Sequence, residues 1–179
     1  GPTGYGDSPY QSFGAFAGNP YFIDLEALVK EGLLKMSECA QVDFGNNPAE
    51  IDYERLHHGR YPLLKKAYKR WKKINSDWSF DELRAETREY CFYMALKDLF
   101  KGKSWIYWDE DIRLRKPEVL AKYQEQLQEE IMFYGFLQYE FQIQWKRLKT
   151  YANKQGIRII GDIPIYVAAD SADSWSYPE

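Results

Sequence analysis

Residues 157–167, Ile-Arg-Ile-Ile-Gly-Asp-Ile-Pro-Ile-Tyr-Val, constrain the fold more than any other stretch of the chain. The run is short, apolar and rich in β-branched residues, and it follows Gly156 at the end of a long helical pattern. That combination predicts a strand buried on both faces, as in a parallel sheet. Pro164 has no N–H for a ladder, so the regular part should end near Asp162 or Ile163. A parallel strand needs neighbours, and the 179 residues offer no second clear one. The expectation is a piece of a larger α/β protein, with sheet partners outside this chain on both sides.

Everything between is helical in texture. Asp24 can cap a short helix over Leu25–Leu34, with Gly32 near its end. From Asp52 the apolar residues Leu56, Leu63, Leu64, Ala67 and Trp71 recur at helical spacing, and Pro62 predicts a kink or a fresh start near residue 61. Ser79 to Glu82 fits a capping box for a helix reaching about Phe100. Residues 101–115 read as a connection carrying Trp105 and Trp108. Pro117 suits the first turn of a long helix whose stripe is Leu120, Leu127, Ile131, Tyr134, Phe141, Trp145, Leu148 and Ala152. Gly135 is a candidate break and Gly156 a stop.

Charge narrows the function. Lys+Arg 24 against Asp+Glu 27 leaves a net charge of −3, which argues against a general nucleic-acid binder. No apolar run approaches bilayer length, and no signal peptide is visible behind Gly-Pro-Thr-Gly. Cys39 and Cys91 are too few for a disulfide framework or a zinc site and fit reduced thiols in the cytoplasm. The basic run 65–73, KKAYKRWKK, reads better as the solvated face of a helix with Ala67 and Trp71 inward than as a polyanion site. His57 and His58 diverge by about 100° on a helix and make a poor chelate. The early glycines match neither G-x-x-x-x-G-K-[ST] nor G-x-G-x-x-G, so they do not read as a phosphate loop.

Two segments carry the chemistry. Residues 1–23, GPTGYGDSPYQSFGAFAGNPYFI, are dense in glycine and proline yet hold six aromatics, so they should form a folded loop packed on something. Tyr5 and Tyr10 are amphipathic rings able to cover a sugar face, with Asp7 and Ser8 as hydrogen-bonding groups, while Phe13 and Phe16 read as packing. Beyond the expected strand lie Asp162, Asp170 and Asp173, at the end of a sheet where ligands bind in barrels and open α/β folds. Asp162 within an apolar run should have a specific partner. Asp170 is balanced between binding a ligand and capping the next helix, and Asp173 reads as a capping residue.

GPTGYGDSPYQSFGAFAGNPYFIDL and QW-x-x-L-K-x-Y-A-N-x-x-G-I-R-I-I-G-D-I-P-I-Y-V-A-x-D-S-A-D-x-W, with WDEDIRLRKPEVL between them, resemble the 4-α-glucanotransferases, also called amylomaltases or disproportionating enzymes, of glycoside hydrolase family 77. The resemblance covers essentially the whole chain. Two positions depart from the family pattern: Gly14 where Ser is usual, and Ser174 where Val is usual. The resemblance implies an α/β fold: part of a (β/α)8 TIM barrel with large helical insertions, predominantly α-helical in this fragment. Residues 1–24 would be an active-site loop following an early barrel strand. Residues 25–115 would be a mostly helical insertion region. Residues 116–179 would hold a long helix, the barrel strand and a strand-end loop.

The implied activity is transfer of a segment of an α-1,4-glucan to the 4-hydroxyl of an acceptor glucan or glucose. It proceeds by a retaining double displacement through an aspartate nucleophile and a glutamate acid/base. Family motifs resembling R-x-D-H, E-D-L-G and H-D-N, which carry those groups, are absent, so no catalytic residue is assigned here. The resemblance implies substrate-binding roles instead. Tyr10 would stack on the sugar at the cleavage subsite, with Ser8 in the same loop and Asp170 bonding the same sugar. Asp162 would be a strand-end carboxylate structural to that site. Tyr5 would belong to an accessory glucan groove, with Tyr53 its partner. The expected partners are maltooligosaccharides and the remainder of the polypeptide, and neither nucleic acid nor membrane; the resemblance implies no metal and no cofactor. A non-catalytic maltooligosaccharide-binding module is the alternative, and a helical interaction protein a third reading.

Overall fold

The computed structural model describes residues 1–4, 8, 10–45, 47, 49–162 and 166–177. They form helices α1 (Leu25–Lys30), α2 (Met36–Cys39), α3 (Tyr53–Ile74), α4 (Ala85–Leu99), α5 (Glu110–Arg113), α6 (Pro117–Gln126), α7 (Gln128–Lys154) and α8 (Ala172–Ser176). The chain divides into two compact units, residues 1–20 with 80–179, and residues 21–79.

In the unit 21–79, Asp24 caps α1 by accepting the Glu26 N–H at 2.9 Å. The expected helix to Leu34 stops at Lys30 because the chain turns at Gly32, where the Leu33 N–H donates back to Leu28 O at 2.8 Å. Asp52 caps α3 through the Arg55 N–H at 3.0 Å. The helix then runs unbroken past Pro62. One missing N–H is outweighed there by the buried face of Leu63, Leu64, Ala67, Tyr68 and Trp71. Lys65, Lys66, Lys69, Lys72 and Lys73 of the basic run are exposed. Arg70 is the inward exception: its guanidinium grips Glu38 with two bonds of 2.7 and 2.8 Å and donates to Leu33 O at 2.9 Å.

In the unit 1–20 with 80–179, the anticipated capping box at Ser79 does not start a helix. Phe80–Glu82 is a 3-10 turn, and α4 begins at Ala85. Residues 90–97 of α4 are buried without interruption, so the helix is surrounded on all sides. It packs on α7 and α8. The long C-terminal helix breaks at Leu127, not at Gly135, which is buried inside α7. At Gly156 the Ile157 N–H donates to Ala152 O at 3.0 Å and the Gly156 N–H to Asn153 O at 3.0 Å, a Schellman stop.

The strand expected at 157–163 is not formed over residues 157–162, and 163–165 lie outside the described residues. Ile160 is 92% exposed. A strand exists only as a ladder with a neighbour, and among the described residues there is none to pair with. The described architecture is therefore helical. Among the described residues no helix is long and apolar enough to cross a membrane.

The Arg70 pair sets an acid limit on the unit 21–79. Hydrogen bonds from Arg70, and then from the Lys35 N–H, hold the Glu38 carboxyl down to about 2, against an ordinary 4.5. A depressed carboxyl stabilises above its unfolded value, and that stability is lost as pH falls through the folded one. Thermal melts by circular dichroism should therefore show stability declining between about pH 4.5 and about pH 2. Glu38→Gln should be less stable at neutral pH and flatter across that window.

Candidate functional site

The first loop is tied down by backbone groups that its glycines leave accessible. Gln138 of α7, 1% exposed, turns its amide on Gly18. The Gly18 N–H donates to Oε1 at 2.7 Å, and Nε2 donates to Gly18 O at 3.1 Å. A Cβ on Gly18 would lie 2.0 Å from Phe141 Cδ1, so only glycine lets the loop lie this close to α7. Farther back, Ser12 Oγ donates to Gly14 O at 3.0 Å and accepts the Gly14 N–H at 3.2 Å. Ser8 Oγ accepts the Tyr10 N–H at 3.3 Å, which leaves the Tyr10 ring 72% exposed. Phe13 is half-buried, as its packing role requires. Phe16 is not: it is 57% exposed, with the Arg84 guanidinium 5.6 Å from its ring centre. Tyr5 lies outside the described residues.

The second segment, 166–177, is bonded directly to the first. Phe13 O accepts the Ala172 N–H at 2.8 Å, and Asp173 Oδ2 accepts the Ala15 N–H at 2.8 Å. Asp173 is thus a clasp on the first loop, not a helix cap. The cap of α8 is Ser171, which accepts the Ser174 N–H at 3.2 Å and donates to Ala168 O at 2.7 Å. Ser174 adds a donor bond to Ala169 O at 2.7 Å and accepts from Trp105 Nε1 at 3.2 Å. Behind this turn Trp175 is fully buried against Phe92, Tyr93 and Trp108, with the Arg115 guanidinium 4.2 Å from its ring centre. Arg115 is fixed in turn by Glu89 at 2.8 Å.

Asp170 sits at the centre. Its Oδ1 accepts from the Tyr93 hydroxyl at 2.6 Å and the Trp105 N–H at 3.2 Å, and its Oδ2 pairs with Lys97 Nζ at 2.5 Å. Burial alone would push this carboxyl up. The bonds from Lys97 and Tyr93, with the Trp105 N–H, outweigh that and leave it below the ordinary aspartate value. Burial, and then the carboxylate it donates to, push the Tyr93 phenol far up, so it remains a donor. The Asp170 side chain keeps 34% of its surface exposed. A carboxylate has room for about four hydrogen bonds, and three are made here. Asp170 does not cap α8; that place is taken by Ser171.

Of the remaining expected residues, Asp162 is exposed. Tyr53 belongs to the unit 21–79, at the start of α3, with its ring 6.2 Å from that of Tyr21. His57 and His58 are exposed there, and His57 lies against Tyr61 at 4.4 Å. Among the described residues no three His, Cys, Asp or Glu side chains gather to hold a metal. Burial pushes the Cys91 thiol far up, which makes it inert. Sequence reasoning missed Lys97, Tyr93 and Trp105. The available signal was Lys97 itself, a cation directly after the apolar run Cys91–Leu96 on a helix with no polar face there.

Glycoside hydrolase family 77, described as 4-alpha-glucanotransferase, matches residues 1–179. The chain is 48% identical over 183 residues to a 4-alpha-glucanotransferase of Clostridium butyricum, covering 100% of this chain and 37% of that protein. It is 43% identical over 186 residues to one of Thermus thermophilus, covering 100% of this chain and 36% of that protein. Among solved structures, the amylomaltase from Streptococcus agalactiae in complex with acarbose matches with a TM-score of 0.89 at 41% identity. That match covers 98% of this chain and 37% of the other. The chain therefore spans about 37% of the length of such relatives.

Two substitutions probe the cluster. Gln138→Leu leaves the Gly18 N–H and C=O without their partner and should cost about 2–3 kcal/mol. Tyr93→Phe removes one bond to a charged acceptor and should cost about 1.5 kcal/mol. Denaturant unfolding measures both, and a change under about 0.5 kcal/mol in either would show that the bond is not made in solution.

Proposed function

The chain belongs to the 4-alpha-glucanotransferase family, and we propose that it supplies part of the glucan-binding surface of an enzyme that transfers a segment of an α-1,4-glucan to the 4-hydroxyl of an acceptor glucan or glucose. The observation that carries this is the clasp between the two motif-bearing segments. Phe13 O with the Ala172 N–H, and the Ala15 N–H with Asp173, put the exposed Tyr10 and the open side of Asp170 on loops bonded to each other. An aromatic face and an ionised acceptor are the two groups that a pyranose ring needs: one for its apolar face, one for its hydroxyls. A related amylomaltase was solved with acarbose, a maltooligosaccharide analogue, which supports the same ligand class here.

In this reading Tyr10 stacks on the sugar and Ser8 shapes the turn that presents it. Asp170 accepts a sugar hydroxyl and Asp162 supports the strand end. Tyr5 and Tyr53 line an accessory groove. The nucleophile and the acid/base that retention requires lie outside this chain, which contains none of their motifs. Residues 157–163 pair as a barrel strand with strands elsewhere in a longer polypeptide. Residues 1–24 are then an active-site loop, 25–115 a helical insertion, and 116–179 a helix, strand and strand-end loop of the barrel. Two free thiols, Cys39 and Cys91, suit the cytoplasm.

Tyr10→Ala should weaken binding of acarbose about tenfold by calorimetry, about 1.4 kcal/mol, without lowering the melting temperature. Unchanged affinity would remove Tyr10 from the site. The 179-residue chain alone should not convert maltotriose into glucose and longer oligosaccharides. If it does, the carboxylates are within this chain and their assignment elsewhere is wrong.

A further inference from the structure

The first loop and the Asp170 turn meet at one buried cation. Lys97 is 5% exposed, and its ammonium donates to Gly102 O at 3.1 Å, Lys103 O at 3.3 Å and Asp170 Oδ2 at 2.5 Å. An ammonium has three donors, and all three are used. The same nitrogen lies 4.8 Å from the ring centre of Phe13 and 5.9 Å from that of Tyr93. The two carbonyls belong to the turn that ends α4, which is set by the Schellman bond from the Gly102 N–H to Lys97 O at 2.8 Å. The cation is therefore fixed to the scaffold on one side. On the others it holds the carboxylate of the second segment and an aromatic ring of the first.

We propose that Lys97 is a positioning residue for the glucan site, a scaffold-fixed cation that sets the Asp170 carboxylate and the Phe13 loop in one shared arrangement. The proposal rests on the reading of those two segments as glucan-binding. Desolvating an ammonium is costly, and an apolar side chain of similar volume in the same place is often as stable or more so. What an apolar side chain cannot do is aim a carboxylate. Lys97 and Tyr93 from α4 and the Trp105 N–H from the segment after it hold Asp170 from two sides, and its side chain stays 34% exposed. Because Phe13 O also accepts the Ala172 N–H, two residues from Asp170, a shift of either segment is transmitted to the other. Lys97 touches the sugar in neither case; it acts through Asp170 and Phe13.

Lys97→Met keeps the stem and removes the charge. Hydrogen exchange on the protein should show peptides covering 10–17 and 166–177 exchanging at least about tenfold faster, with the α7 peptide across 133–137 unchanged. Faster exchange everywhere, or loop peptides exchanging as in the wild type, would make Lys97 an ordinary core residue and overturn the proposal. Acarbose affinity should be flat with pH above the range of a depressed aspartate in the wild type. In Lys97→Met it should fall several-fold on acidification from about pH 7 to about pH 5, because burial then acts on Asp170 without its counterion. Lys97→Arg, which restores the charge, should restore the flat profile and much of the loop protection. An arginine variant that folds but behaves like the methionine one would count against the proposal. If the wild type binds no acarbose, the glucan reading fails, while the exchange contrast still decides whether Lys97 couples the two segments.

Discussion

A lysine ammonium buried at the end of α4 is the constraint around which the residues 1–20 and 80–179 arrange their loops. Such a group is tolerated only when every donor has an acceptor, and meeting that demand fixes three pieces of backbone at once. The turn at 100–103 must present two carbonyls, the 166–171 segment must deliver Asp170, and the Trp105 N–H must close the far side of that carboxylate. None of these segments has regular structure long enough to hold itself. Their order comes from a charge that cannot be left unpaired, in addition to the apolar contacts around Trp175.

That division explains the high aromatic content. Tyr90, Tyr93, Phe136 and Trp175 are fully buried, and Phe92 and Trp108 nearly so. They form the wall on which the loops rest, with Trp175 as the anchor of the second segment. Tyr10, Tyr107 and Tyr166 are instead more than two-thirds exposed. Rings held in water on an anchored loop have no packing reason to be there, whereas isolated exposed rings elsewhere need none. The same residue type thus serves two ends, separated by whether its neighbours on the chain are bonded to the core.

Much of this was legible in the sequence, and the misses have physical causes. The helical stripes, the Asp24 and Asp52 caps and the stop at Gly156 follow from local rules, because i to i+4 bonds and caps are satisfied within a few residues. The glycine-rich first loop was legible as packed, because its aromatics demanded burial or use. The break at Leu127 was not legible, since a glycine looks weaker than a leucine until Gly135 is seen inside the packed part of α7. The role of Asp173 was not legible either: its partner, the Ala15 N–H, is 158 residues away. Lys97 escaped for the same reason, because its partner Asp170 is 73 residues distant.

The run 157–162 shows what sequence pattern can and cannot decide. Its composition is that of a strand buried on both faces, yet Ile157, Ile159 and Ile160 stand exposed and no ladder forms. Helices satisfy their backbone groups internally and can be complete within a short chain, whereas a strand is complete only with a neighbour. A sequence can therefore encode a strand whose structure depends on residues elsewhere, and the relatives extend well beyond the 37% of their length matched here. The helical scaffold and the loop clasp are specified by this chain's own contacts.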